Sequence, residues 1–286
     1  MGVTRAAGAT VRLDAPGGLE PDAILGSLAA HSLPGAERTD VEQRTHTRLV
    51  RGPHGRRTVT VRVDAAGIGL ETTAADEAEL RSLEATVRAW FDLDADLEPV
   101  RESLRRDPVL SPLVARRPGL RVIGTPDRFQ TAVTTVLGQQ VSLAAGRTFA
   151  GRLIAAYGEE GPEGLRGFPE PAALAGADRE ELRSAVGLTA ARGRTVMALA
   201  AAWLDSGGAP TRNQLLALPG IGPWTVDYLA VRYGDRDAFT SGDLVLRRAL
   251  GGISAKEAEA RSEAWRPFRA YALMHLWTET AYSGRL

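Results

Sequence analysis

Apolar positions alternate in short runs near the start of the chain and recur every three or four residues over most of the rest. Thr10-Val11-Arg12-Leu13 alternates and predicts a strand. Pro21 to Ala30 predicts a helix, with proline at its start and Ile24, Leu25 and Leu28 on one face. Strands are predicted at Thr45 to Val50, Arg57 to Val63 and Gly67 to Thr72. Gly52-Pro53-His54-Gly55 and Ala65-Ala66-Gly67 are turn signals between them. Ala75 to Phe91 reads as an amphipathic helix with Leu80, Leu83, Val87 and Trp90 turned inward. These elements predict a small α+β unit built on an antiparallel sheet.

Residues 92–119 carry four prolines and many charges, and read as short helices and linkers. Beyond Pro126 the period is helical almost throughout. Asp127 to Leu143 places Phe129, Val133, Val136, Leu137 and Val141 on one face, interrupted at Gly138-Gln139-Gln140. Further helices are predicted over Leu143 to Tyr157, Asp178 to Val186, Thr189 to Trp203, Arg212 to Leu218, Asp243 to Leu250, Lys256 to Trp265 and Pro267 to Thr280. The expected fold is therefore mostly α: an α+β N-terminal domain, residues 1–112, followed by a helical region, 113–286, with a helical hairpin at 212–234.

Leu218-Pro219-Gly220-Ile221-Gly222-Pro223-Trp224-Thr225 carries the sharpest local pattern. Gly220 and Gly222 allow tight turning and close backbone approach. Pro223 suits the first helical position, and Val226, Leu229, Ala230 and Tyr233 form a core-facing stripe. A helix N-terminus behind small residues presents unpaired amides to an anion, here a nucleic-acid phosphate. Downstream, Asp243 opens an apolar helix. As a residue pattern alone it reads most economically as an N-cap, and Gly-x-Gly alone as an ordinary turn. Gln139 and Gln140, at an apolar helix end, read either as solvent-exposed or as polar groups turned to a ligand or duplex.

The composition narrows the chemistry. With no cysteine among 286 residues, disulfides, thiolate-ligated zinc and cysteine-ligated iron–sulfur clusters are excluded. His31, His46 and His54 lack metal spacing and read as surface or turn residues. Lys256 is the single lysine beside 34 arginines, so a Schiff-base mechanism has one candidate. The chain is neutral overall, but residues 1–112 carry a net −4 and residues 113–286 a net +4. That split suits contact with a few phosphates through the helical region rather than a long basic groove. No apolar run approaches the ~20 residues that span a bilayer, and Met1 to Thr10 lacks the core of a signal peptide. A cytoplasmic, nucleoid-associated monomer without a membrane partner is expected. Nine of the 16 aromatic residues follow position 223, which raises an aromatic pocket facing Asp243 as the alternative to plain helix packing.

The hairpin with Asp243 downstream resembles the helix-hairpin-helix superfamily of DNA glycosylases, and within it the bacterial 3-methyladenine DNA glycosylase II type. Arg117-Pro-Gly-Leu-Arg121, Val136-Leu-Gly-Gln-Gln-Val-Ser142 and Trp265 to Trp277 carry the same resemblance. It implies that Asp243 is the catalytic carboxylate and that Trp224, Tyr228, Trp277 and Gln139 belong to the substrate pocket. Gly220, Gly222, Trp224 and Thr225 would hold a phosphate of double-stranded DNA containing the damaged base. Gln140 would stand where relatives wedge a leucine into the duplex. The backbone carbonyls of Leu216, Leu218 and Ile221 would hold a monovalent cation, Na⁺ or K⁺; no other cofactor is implied. Ser27 and Leu244 replace aromatic residues of relatives. Trp224 stands where bifunctional members carry their lysine, so a monofunctional alkylpurine glycosylase without lyase activity is expected. The same fold acting on an oxidised or deaminated purine, or a non-catalytic DNA-binding module, are the alternatives.

Overall fold

The computed structural model describes residues 8–282; most of the stretch in which no signal peptide was expected, residues 1–7, lies outside them. Five strands form one antiparallel sheet: β1 (Ala9–Asp14), β2 (Glu37–Asp40), β3 (Thr45–Gly52), β4 (Gly55–Asp64) and β5 (Gly67–Thr72), in the order β1-β5-β4-β3-β2. The strands predicted from alternation are all present. The edge strand β2 was not foreseen, since Glu-Arg-Thr-Asp has no apolar residue to alternate. At Gly67 the β1 backbone passes so close that a Cβ would stand 2.2 Å from the Leu13 carbonyl oxygen, so only glycine fits.

Helix α1 (Pro21–His31) buries Ile24, Leu25 and Leu28 against the sheet. Helix α2 (Glu77–Trp90) is capped by Asp76, whose carboxylate accepts from the Glu79 amide at 2.8 Å. It buries Leu83, Val87 and Trp90 as predicted, but Leu80, also expected inward, is only half-buried, and Glu79 is buried beside it. Two short helices follow in the proline-rich stretch, α3 (Glu98–Leu104) and α4 (Leu110–Arg116). The helical region comprises α5 (Arg128–Gly138), α6 (Leu143–Tyr157), α7 (Pro171–Ala175), α8 (Arg179–Val186), α9 (Ala190–Asp205), α10 (Arg212–Leu216) and α11 (Pro223–Arg232). After these come α12 (Leu244–Ala249), α13 (Ala255–Ser262) and α14 (Arg269–Trp277). The expected helix over 127–143 divides: α5 stops at Gly138, Gln140 turns left-handed at φ 55°, and Ser142 caps α6. The last expected helix starts later and ends earlier, at Arg269 and Trp277. No helix among the described residues is long and apolar enough to cross a membrane.

Burial divides the interior into two cores. The first joins the sheet, α1 and α2 to α3, α4 and the C-terminal helices; Val61, Leu70, Trp90, Leu246, Trp265 and Leu273 all belong to it. The second is made by α5 to α11, with Phe129, Val136, Leu153, Val196 and Leu229. The chain thus leaves the first core after α4, builds the second, and returns for its last three helices.

Arg121 locks the first of these crossings. Its guanidinium is 1% exposed and donates to the carbonyls of Asp92 (2.6 Å), Gly18 (3.1 Å), Ala95 (3.2 Å) and Pro16. A planar fork of five donors is suited to gathering four backbone acceptors.

Candidate active site

Helices α10 and α11 form the expected hairpin. Gly220 is left-handed at φ 80°, and a Cβ there would meet Thr195 Oγ1 at 2.5 Å, so conformation and space both require glycine. A Cβ at Gly222 would meet nothing within 4 Å. Pro223 opens α11, and the amides of Trp224 and Thr225 fall in its first turn, where no intrahelical acceptor exists. Open space in front of unpaired amides is what an approaching phosphate needs.

Asp243 is the N-cap of α12: its Oδ1 accepts from the Leu246 amide at 2.8 Å. The capping and functional readings are compatible, because the carboxylate has acceptor positions to spare. Trp277 Nε1 donates to Oδ1 at 3.1 Å and Trp224 Nε1 to Oδ2 at 3.3 Å. Trp224 stacks on Tyr228 with ring centres 5.3 Å apart and planes 15° apart; Tyr228 leans on Trp277 at 5.9 Å and 49°. The three aromatics named from the sequence therefore form one continuous wall against Asp243.

Trp224 and Tyr228 of this wall line a cleft of about 850 Å³ at the seam between the two cores, while Trp277 and Asp243 stand outside its lining. Trp224, Tyr228 and Arg232, one helical turn apart on α11, all line it, as do Val245 and Arg248 of the helix that Asp243 caps. From the first core come Ser27, Leu28 and Trp90. Ser27 lines the cleft, whereas Leu244 at the start of α12 is 61% exposed.

Gln139 reaches the hairpin. Its Nε2 donates to the Gly220 carbonyl at 3.1 Å and to Thr225 Oγ1 at 3.0 Å, while Arg192 Nη2 donates to the Gln139 carbonyl at 2.5 Å. The exposed Gln140 stands beside this anchor at the turn between α5 and α6. Leu216 ends α10, and the Leu218 carbonyl accepts a long 3.3 Å bond from the Ile221 amide. Lys256 is exposed on α13 and does not line the cleft.

The other carboxylates near the hairpin are committed elsewhere. Asp227 pairs with Arg212 at 2.6 Å. Asp237 pairs with Arg266 and Arg269, not with Arg236, which reaches Asp92 at 2.8 Å instead.

The histidines correct the sequence reading more sharply. His54 is exposed in its turn, but His46 is 1% exposed and His31 is half-buried; both line the cleft. His46 lies on β3 two residues from Arg48, whose guanidinium is buried against Glu37 at 2.9 Å and Gln130 at 2.7 Å. Gln130 Nε2 closes that network on Glu37 at 2.9 Å. A strand reading His-Thr-Arg turns its polar residues inward, which inverts the pattern used to find buried faces.

The sheet region matches the AlkA N-terminal domain over residues 10–127, and the helical region matches the model described as HhH-GPD superfamily base excision DNA repair protein over residues 133–269. A probable bifunctional transcriptional activator/DNA repair enzyme AlkA of Mycobacterium tuberculosis is 39% identical over 274 residues, 90% of this chain. The chain spans about half of that relative's length, 54%. DNA-3-methyladenine glycosylase 2 of Escherichia coli is 34% identical over 222 residues, 73% of each chain. Among solved structures, a 3-methyladenine DNA glycosylase from Archaeoglobus fulgidus superposes with a TM-score of 0.79 at 18% identity, over 96% of this chain and 100% of that one.

Proposed function

Because the chain belongs to the HhH-GPD superfamily of base excision DNA repair proteins, we propose that it is a DNA glycosylase that releases alkylated purines by hydrolysing the N-glycosidic bond and leaves the strand uncut. The observation that carries this reading is the Asp243 carboxylate held by two indole N–H groups against the Trp224, Tyr228 and Trp277 wall.

The damaged nucleotide leaves the duplex at an unstacking cost of a few kcal/mol, which weakened pairing of the lesion lowers. A purine alkylated on a ring nitrogen is cationic. It gains roughly 0.5–2 kcal/mol on each electron-rich ring it meets. It is also a good leaving group, so one carboxylate suffices. Asp243 stabilises the oxocarbenium-like sugar as the bond breaks and orients the attacking water. The first-turn amides of α11 hold a backbone phosphate. Gln140 fills the gap left in the duplex with hydrogen bonds. The carbonyls of Leu216, Leu218 and Ile221 are oxygen donors of the kind a monovalent cation accepts. Among the described residues the Leu218 carbonyl accepts one long bond, from the Ile221 amide, and keeps a lone pair for the cation.

Trp224 at the hairpin offers no amine for a Schiff base. Lys256, the only lysine, is outside the cleft. Borohydride treatment during turnover is expected to trap no covalent protein–DNA product. The decisive assay is release of free base from methylated duplex DNA; no release from any alkylated duplex would leave a binding module instead.

A further inference from the structure

Of the buried side-chain polar atoms without a hydrogen-bond partner among the described residues, two belong to residues that line the cleft: His46 Nε2 and Arg232 Nε. Such atoms are rare and costly in folded proteins, and a ligand is one way to satisfy them. Arg232 is a flexible cation with further donors. His46 is fixed: its Nδ1 lies 2.8 Å from Thr39 Oγ1, and its ring meets Trp90 edge-on at 5.6 Å. Its neighbour Arg48 is satisfied by Glu37 and Gln130, so the imidazole Nε2 is the polar atom of this network left over.

Its place in the cleft gives that atom a partner. Trp224, Tyr228 and Arg232 run along α11, with Asp243 bonded to Trp224 at one end. At the other end Gly124 is wedged among three backbone oxygens, of Ala89, Trp90 and Arg232. A Cβ there would stand 3.4 Å from the Arg232 carbonyl and 3.6 Å from that of Trp90. The Arg232 end of the row is therefore the Trp90 and His46 end. A base stacked on the aromatic wall, with its sugar at Asp243, directs its far edge there.

We propose that His46 reads the hydrogen-bonding edge of the extruded purine and so sets which lesion is preferred. This rests on the glycosylase reading above. A base outside the duplex has lost its Watson–Crick partners, and flipped bases are read on that edge. Burial, the largest effect, pushes His46 down to about 4; Glu37 opposes this and Arg48 reinforces it. The ring is therefore neutral at working pH and does not repel a cationic base. Thr39 Oγ1 occupies Nδ1, which leaves Nε2 as the ring atom open to the base.

The test uses duplexes carrying a single 3-methyladenine or 7-methylguanine, which differ at C6 by an amine against a carbonyl. In His46→Leu the ratio of the two single-turnover release rates should change about fivefold, the size of one hydrogen bond, and His46→Gln should restore it. Equal loss on both lesions, or no change, overturns the proposal. If His46→Leu does not fold, ¹⁵N-histidine spectra of the unsubstituted protein decide. On adding abasic DNA and free 3-methyladenine, the His46 Nε2 resonance should shift, and an unmoved resonance overturns the proposal. Failure of the unsubstituted protein to release either base would instead overturn the glycosylase reading.

Discussion

Trp224 donates its indole N–H to Asp243 across the seam between the two cores, 3.3 Å from Nε1 to Oδ2. Trp224 stands on α11 of the second core, and Asp243 caps α12 of the first. Trp277, from α14, holds the other oxygen at 3.1 Å. The carboxylate is thus oriented by both halves of the fold at once, and the cleft beside it opens between them.

Asp243→Asn separates chemistry from folding. Asparagine caps helices about as well as aspartate, so the cap itself should change by no more than about 0.5 kcal/mol, with a further loss only of the exposed bond from Trp224, which an amide nitrogen cannot accept. The negative charge that stabilises the sugar cation is lost, and base release should fall about 10²- to 10³-fold. Single-turnover release from methylated duplex, with urea unfolding in parallel, measures both. Release at the unsubstituted rate would remove Asp243 from the mechanism.

Trp277→Phe keeps an aromatic face toward Tyr228 but removes the donor on Oδ1. Loss of one hydrogen bond to a charged group corresponds to about 1.5–3 kcal/mol, so the chemical step should slow by roughly tenfold or more. Binding of a duplex containing an abasic site should be nearly unchanged, since the hairpin is untouched. A fall in DNA affinity with an unchanged release rate would assign Trp277 to binding instead.

Gln139→Leu tests the bond between the turn carrying Gln140 and the hairpin. The variant removes both side-chain contacts, to the Gly220 carbonyl and Thr225 Oγ1. Two neutral hydrogen bonds contribute about 1–3 kcal/mol together. Affinity for lesion-containing duplex should fall about tenfold, because hairpin and turn no longer approach the DNA as one piece. Release from single-stranded methylated DNA, which needs no wedge, should fall less. Equal losses on both substrates would show that Gln139 serves the chemistry directly.

How far these features could be read from the chain depends on where their information resides. The hairpin, its glycines and the cap at Asp243 are local, and spacing alone located them. The wall of Trp224, Tyr228 and Trp277 joins residues over 50 positions apart, so only the family resemblance placed Trp277 with the others. His46, Arg48 and Glu37 were illegible for a different reason. They are polar residues on buried positions, and a hydropathy pattern assigns them to the surface. Their partners, Gln130 on α5 and Trp90 on α2, are brought near only by the tertiary fold. Arg121 was visible within a family-like stretch, but nothing local showed that it binds four carbonyls.

Two buried histidines make stability fall in mild acid. Burial pushes both His46 and His275 down to about 4 from 6.5, with Arg117 adding to the effect on His275. Burial, followed by the Arg232 charge, lowers His31 in the same direction. Between pH 6.5 and 4 the unfolded chain binds protons that the folded chain refuses, so stability rises with pH across this window. It is fully present above the unfolded value and is lost as pH falls toward the folded one. From pH 7 to pH 5 each of the two most buried rings should cost about 2 kcal/mol. That is a large part of a typical 5–15 kcal/mol. Paired carboxylates such as Glu37, held below their ordinary range, act mainly at lower pH. Urea unfolding at pH 7.5 and pH 5 measures the difference. His275→Leu should reduce the pH dependence by about one histidine's share, and equal stability at both pH values would mean that the two rings are protonated in the folded protein.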